Sequence, residues 1–516
     1  MNIQHEVQDN MSSTDQSVSE PKEDNSYSLL STNDLVYILP PDLSVSVNQT
    51  HKNQFFQSSS YTDNQRGICI FNTGADYGDL RNSSLEFGVN WTGANNACLA
   101  YLGRNGSILN LIKSITISSR SGDELARIQD FNLLSYHRNQ LKWGKEFFNT
   151  VGQGMGQGTT LIPDNHLLAN TNAEYLGVQR FSIPMYMLTD FFSYSRLMPA
   201  QVLSGLRVEI EWARPAEAFI SYATTTAFAD THPAIATYTI DNPYFAIRSV
   251  QLTDATQRAL NELSATNGLE LVYCDYERTD SVQTTNQFHM EIRKACSRAL
   301  QAMMITRVSA NTSDLAHDSL KSEAWDTTQW QFQLGSLYYP QQPVQTSDTT
   351  ASGPHQILPE TYKHALIAFD KYKCLVPGKT AALPLYTHPD SGLGSTSKTT
   401  HPGLIADSGH TYGKISPAYG SVDPTLDTKM YTVALLGIDE SLEHPYHYGT
   451  FAAGNSCIAT TLERSDLFNL SGVPINNARV LAVRSSYTTT VSRQFTAFLK
   501  YVRLARVFLN NVEVEQ

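Results

Sequence analysis

Cysteine is scarce in this chain: six in 516 residues, at Cys69, Cys98, Cys274, Cys296, Cys374 and Cys457, with no C-x-x-C pair. That scatter excludes a disulfide framework. It fits reduced, partly buried thiols of a protein made inside a cell. Charge is thin as well, since Asp, Glu, Lys and Arg make up only 17% of the residues, and the net charge is −12 with no run of Lys or Arg. Such a surface repels phosphate backbones, so direct nucleic-acid binding is not expected. No apolar run reaches the roughly 18 residues that mark a membrane-spanning helix. The opening residues, MNIQHEVQDNMSSTDQSVSEPKEDNS, lack the basic start and apolar stretch of a secretory signal. With no route to secretion expected, N-x-[ST] sequons such as Asn48, Asn82, Asn90, Asn105, Asn311 and Asn469 read as chance in a chain rich in Asn, Ser and Thr.

What is present is β pattern. Hydrophobic residues reach 41%, with 26 Tyr and 21 Phe, beside abundant Ser, Thr, Asn and Gln. This balance suits an all-β protein with long polar loops. In "LSGLRVEIEW" (203–212), Leu206, Val208, Ile210 and Trp212 fall on one side and Arg207, Glu209 and Glu211 on the other. That is a strand with one dry and one wet face. Similar stretches recur at 35–40, 43–47, 67–72, 85–91, 111–119 and 181–187, and a second series runs at 238–252, 269–277, 287–295, 300–310, 330–340, 430–438, 478–487 and 495–509. Many short strands between turn signals indicate antiparallel sandwiches or barrels.

Helices are few. Asp123 is placed to cap "ELARIQDFNLL", and Asp254 opens "DATQRALNEL", with Gln257 three residues on and Gly268 beyond the end. Pro359 starts "PETYKHALIAF", with Tyr362, Leu366 and Phe369 on one face. Residues 1–34 form a polar acidic arm in which Lys22 is the only Lys or Arg. Two β-domains of like topology are expected, 35–232 and 233–516, each with one early helix. The second carries a Gly/Pro/His-rich stretch, 376–428, expected to be exposed.

Glu209 and Glu211 share one face of a strand and could supply the paired carboxylates of a glycosidase. Arg207 joins them, however, and a charged alternate face is ordinary for an antiparallel strand. His444 and His447 in "HPYHYG" stand three apart beside Glu443, but Pro445 favours a turn over a metal-binding helix. His388, His401 and His410 are more dispersed. "GQGMGQG" (152–158) fits no nucleotide-binding pattern and reads as a flexible loop. Tyr338 and Tyr339 should face opposite ways, with Pro340 ending their strand. No catalytic, metal or cofactor residue is assigned, and none of these patterns makes an enzyme.

Three segments together carry a resemblance: "GSILNLIKSITISSRSGDELARI" (106–128), "IPMYMLTDFFSYSRLMPAQVLSGLRVEIE" (183–211) and "QFQLGSLYYPQQP" (331–343). The chain resembles the major capsid proteins of double jelly-roll viruses, of the polinton-like virus and virophage type, distantly related to the adenovirus hexon. The resemblance implies two antiparallel eight-stranded jelly-roll barrels side by side, with a few short helices in loops. It further implies trimeric, pseudo-hexameric capsomers that assemble into the icosahedral capsid of a double-stranded DNA virus, inside the host cell. Partners would be other copies of the chain, with penton and minor capsid proteins, and an underlying membrane is left open. The acidic arm, opposite in charge to the Arg-rich arms that bind single-stranded genomes, agrees. Two alternatives stay open at this point. One is a β-sandwich carbohydrate-active enzyme or lectin using Glu209 and Glu211; the other is a cellular β-rich adhesion or scaffold protein.

Overall fold

The computed structural model describes residues 46–369 and 457–515, apart from short internal stretches, the longest of which are 157–166, 170–178 and 224–234. Eight strands build a first barrel: β1 (Ser46–Phe55), β2 (Arg66–Ile70), β3 (Tyr77–Gly93), β4 (Ile112–Ser118), β5 (Glu124–Gln129), β6 (Gln179–Pro184), β7 (Arg207–Trp212) and β8 (Ile235–Leu252). Eight more build a second: β9 (Leu269–Gln283), β10 (Gln287–Ile292), β11 (Cys296–Val308), β12 (Thr327–Leu334), β13 (Leu337–Gln345), β14 (Ile458–Thr461), β15 (Leu481–Tyr487) and β16 (Arg493–Val507). Helix α1 (Phe131–Lys142) follows β5, α2 (Asp254–Thr266) joins the barrels, and α3 (Glu360–Ala368) follows β13.

The pairing is the same in both. The first barrel has sheets β1-β8-β3-β6 and β2-β7-β4-β5; the second has β9-β16-β11-β14 and β10-β15-β12-β13, every pair antiparallel. Counted from each barrel's first strand, the two orders coincide. The all-β architecture of two like barrels is thus as expected from the alternation.

Alternation also explains the packing. In β7, Val208, Ile210 and Trp212 are fully buried, while Glu209 and Glu211 stay on the wet side. Phe87 meets Trp212 edge to face at 5.3 Å, and Phe71 and Phe56 pack on Phe245. The second barrel closes around Trp330, Phe332, Phe288 and Phe495, the last two rings stacked. Each such side chain removed from water contributes about 1.5–3 kcal/mol.

Several expectations are corrected. The first barrel's strand set ends at Leu252, not at 232: β8 lies between β1 and β3, so its sheet cannot close without it. Residues 124–129 are strand, not helix, because Glu124–Gln129 pairs along β4; the helix starts only after Asp130, whose φ of 47° turns the chain. The helices in equivalent places are therefore α1 and α3, each after its barrel's fifth strand. Helix α2 forms where expected, and Gly268 beyond it adopts φ +73°. Tyr362, Leu366 and Phe369 of the α3 segment pack against the core as expected. "GQGMGQG" is not simply loop: Val151–Gly154 makes a helical turn, and the buried Met155 accepts from the Ile108 N–H. Pro340 does not end β13. The ladder to β12 breaks after Phe332–Tyr339 and resumes at Trp330–Val344, so the strand bows and continues. Tyr338 is exposed and Tyr339 packs on the core, as their alternation requires. Residues 1–34, the strand expected at 35–40, most of that at 43–47, the 376–428 stretch, the 430–438 strand and His388, His401, His410, His444 and His447 lie outside the described residues.

Candidate functional site

Glu209 and Glu211 stand on the central strand of their sheet, between β2 and β4. Both carboxylates are occupied. Glu209 pairs with Arg207 at 2.7 Å and with Arg66 at 3.5 Å; Glu211 accepts from the Ser114 hydroxyl at 3.0 Å and lies 3.8 Å from Arg66. Arg66 and Arg207 are themselves 61% and 47% exposed, so this is a solvated row of charges that neutralises itself. Such rows are worth about 0–1 kcal/mol. Among the described residues, no group of three or more His, Cys, Asp or Glu could hold a metal ion.

A cluster of groups with altered chemistry lies elsewhere, where the barrels meet. Strand β5 of the first barrel packs on β9 of the second. Tyr273 donates to the Leu125 carbonyl at 2.6 Å, and Arg503 donates to the Glu124 carbonyl at 2.9 Å. The other arm of Arg503 reaches Asp275 at 2.8 Å, with side-chain exposures of 5% and 3%. Tyr501 and the Tyr276 N–H also donate to Asp275. Phe191 lies edge to face on Tyr273 at 5.1 Å. Burial pushes the Asp275 carboxyl up to about 6, against the pull of Arg503.

Ion pairs also cross this seam. Asp130, at the head of α1, binds Arg278 of β9 at 2.7 Å and Lys113 of β4 at 2.9 Å. Burial pulls the Lys113 ammonium down, but Asp130 and Glu217 outweigh it and raise it. Asp190 lies 3.5 Å from Lys500 of β16; burial would raise its carboxyl, yet Lys500, Lys142 and Arg138 hold it below the ordinary value. His137 of α1 is buried and hydrogen-bonded to the Leu320 carbonyl at 3.0 Å, and burial holds it down to about 3, hence neutral.

These groups are bonded to one another, not aimed at an opening. A concavity of about 620 Å³ opens on the outer face of the β10-β15-β12-β13 sheet, lined by Gln287, His289, Gln331, Arg484 and neighbours with no carboxylate or thiol among them. It therefore shares no residue with the seam. Shifted carboxyls often mark catalysis, but here Asp275 is raised by burial and engaged by Arg503 of its own barrel, and Asp190 is lowered by cations that include Lys500 of the other barrel. Sequence reading missed this network. The signal was there: Asp275 falls in phase with Leu271 and Tyr273, and Arg503 in phase with Ala505 and Val507, so opposite charges sit on the dry phase of two long strands.

No family model matches the sequence, and no curated protein matches it. Solved structures do. A chain of the Sputnik virophage, determined by cryo-EM, superposes with TM-score 0.52 at 10% identity, covering 93% of this chain and 92% of that one. PBCV-1 VP54, fitted into a reconstruction of the virophage Sputnik, superposes with TM-score 0.50 at 8% identity, covering 93% of this chain and 99% of that one. The chain has the double jelly-roll fold. The likeness runs through both barrels and their join, and at such identity it is one of fold.

Proposed function

We propose that this double jelly-roll chain is a viral major capsid protein, assembling as trimeric, pseudo-hexameric capsomers into the icosahedral shell of a double-stranded DNA virus. The observation that carries the reading is the repetition of one strand order in two barrels of a single chain, in a fold similar over nearly its whole length to a virophage chain. Two similar lobes per protomer let three protomers make a six-lobed tile, which packs hexagonally. The division into domains falls in α2, between Leu252 and Leu269. The acidic arm at 1–34 favours a shell that does not hold its genome directly. Penton and minor capsid proteins complete such a shell.

On this reading Glu209 and Glu211 have no catalytic task. Their paired state supports it, since both carboxylates are already engaged by neighbouring arginine and serine side chains on a solvated sheet face. Electron microscopy of the concentrated, purified protein tests the proposal: six-lobed particles or shells support it, and a featureless monomer in every buffer overturns it.

A further inference from the structure

Strands β7 and β15 hold the same place in their two barrels, yet their wet faces are finished differently. On β7, Arg207 is neutralised by Glu209. On β15, Arg484 is exposed and has no ion-pair partner among the described residues. Its ladder neighbours are His289 on β10 and Gln331 on β12; one step along, Ser486 lies between Gln287 and Gln329. Residues two apart on a strand share a face, and cross-strand neighbours stand about 4.5–5.5 Å apart. Six polar side chains therefore form two rows of three, and these rows line the concavity of about 620 Å³.

The packing beneath holds this grid in shape. Between its members, Phe288 stacks on Phe495 at 3.6 Å, the Trp330 ring N–H donates to the Thr361 hydroxyl at 2.9 Å, and the Ser485 hydroxyl donates to Tyr487 at 3.1 Å. At the rim, β13 bows between Tyr339 and Val344, and the Gln331 amide nitrogen donates to the Pro340 and Gln341 carbonyls at 3.0 and 3.1 Å. Gln331 thereby keeps its amide oxygen as an acceptor, and the exposed Pro343 adds an apolar wall. The nearest carboxylate along β10, Glu291, is held by Arg293 at 2.9 Å. A rigid site needs little reordering to bind.

The ligand class follows from these groups. An uncompensated guanidinium grips a carboxylate through two parallel N–H bonds. A glutamine amide carries donor and acceptor side by side, which matches adjacent hydroxyls on a sugar ring. Nucleic acid fits poorly, since one arginine releases few counterions, and Phe288 and Trp330 are buried where no base can stack on them. The volume falls within the roughly 300–1,000 Å³ of small-molecule sites. We propose that this concavity binds an acidic saccharide, with Arg484 taking the carboxylate and Gln287, Gln329, Ser486 and His289 the ring hydroxyls. The site lies within one protomer and does not depend on the capsomer reading.

The test is a set of saturation-transfer NMR titrations on the full chain. The acidic probes are methyl glucuronide and the methyl glycoside of N-acetylneuraminate; whichever binds tells uronate-bearing from sialylated glycans. Methyl glucoside supplies a ring without a carboxylate, and acetate a carboxylate without a ring. At least one acidic sugar should bind about ten-fold or more tightly than glucoside and acetate. Arg484→Gln should bring that sugar to the level of the glucoside, while Arg207→Gln on β7 leaves its binding unchanged, with circular dichroism showing that both variants fold. Gln329→Ala should weaken acidic and neutral sugars alike. Binding of neither acidic sugar, binding no tighter than that of acetate, or a preference that survives Arg484→Gln overturns the proposal.

Discussion

The wet face of β7 and the seam between the barrels both gather charged side chains on long strands, yet they do opposite work. On β7, Glu209, Glu211, Arg66 and Arg207 neutralise one another in contact with water. In the seam, Asp275 and Arg503 are almost wholly removed from water, and Arg503 also holds the Glu124 carbonyl of the other barrel. Exposure separates the two. In water a pair gains little and loses little when broken. In the interior, breaking it leaves a bare charge with no solvent to receive it.

That contrast is broken most strongly by removing one seam partner. Arg503→Met should destabilise the fold by about 3–5 kcal/mol, as should Asp275→Ala. Replacing both with apolar residues, Asp275→Leu with Arg503→Met, should recover most of the loss. Denaturant unfolding measures all three, and equal losses in the singles and the double would show that packing, not charge, holds the seam.

A smaller effect sharpens the seam's electrostatics. His137 is held down to about 3 from an ordinary 6.5, so the unfolded chain binds that proton first and the fold loses stability as pH falls through that window. Asp275 is raised to about 6 from 3.8, so the folded chain binds its proton first and this group adds stability as pH falls between those values. Each contributes about 1–2 kcal/mol between pH 7 and pH 5, with opposite sign. The wild type should therefore change little from these two groups, whereas His137→Gln should gain stability relative to wild type on acidification. Parallel pH profiles for the two proteins would contradict the assignment.

The smallest effect belongs to β7. Glu209→Gln with Glu211→Gln should shift stability by no more than about 1 kcal/mol and leave assembly intact. Hydrolysis of a polysaccharide or ester by the wild type, lost in this double variant, would restore the enzyme alternative.

The same contrast marks how far the sequence could be read. Strand β7 was legible because its period of two is unbroken: apolar side chains inward, charges outward. The helix at 131–142 was misplaced because Leu125 and Ile128 suit both a helical face and a buried strand, and only pairing with β4 decides between them. The division at 232 failed for a related reason. Strand β8 is separated from the preceding strand by a polar stretch, yet its partners are β1 and β3, far back in the chain. The seam was least legible, since Asp275 and Arg503 are 228 residues apart and nothing local says that a charge in the dry phase has a partner.

If two like barrels in one chain make the protomer of a six-lobed, threefold particle, the mass of the full chain under native conditions will show it. The expected species is three times 57.3 kDa, or larger shells built from that unit. A stable monomer, or a dimer that never reaches three, would contradict it.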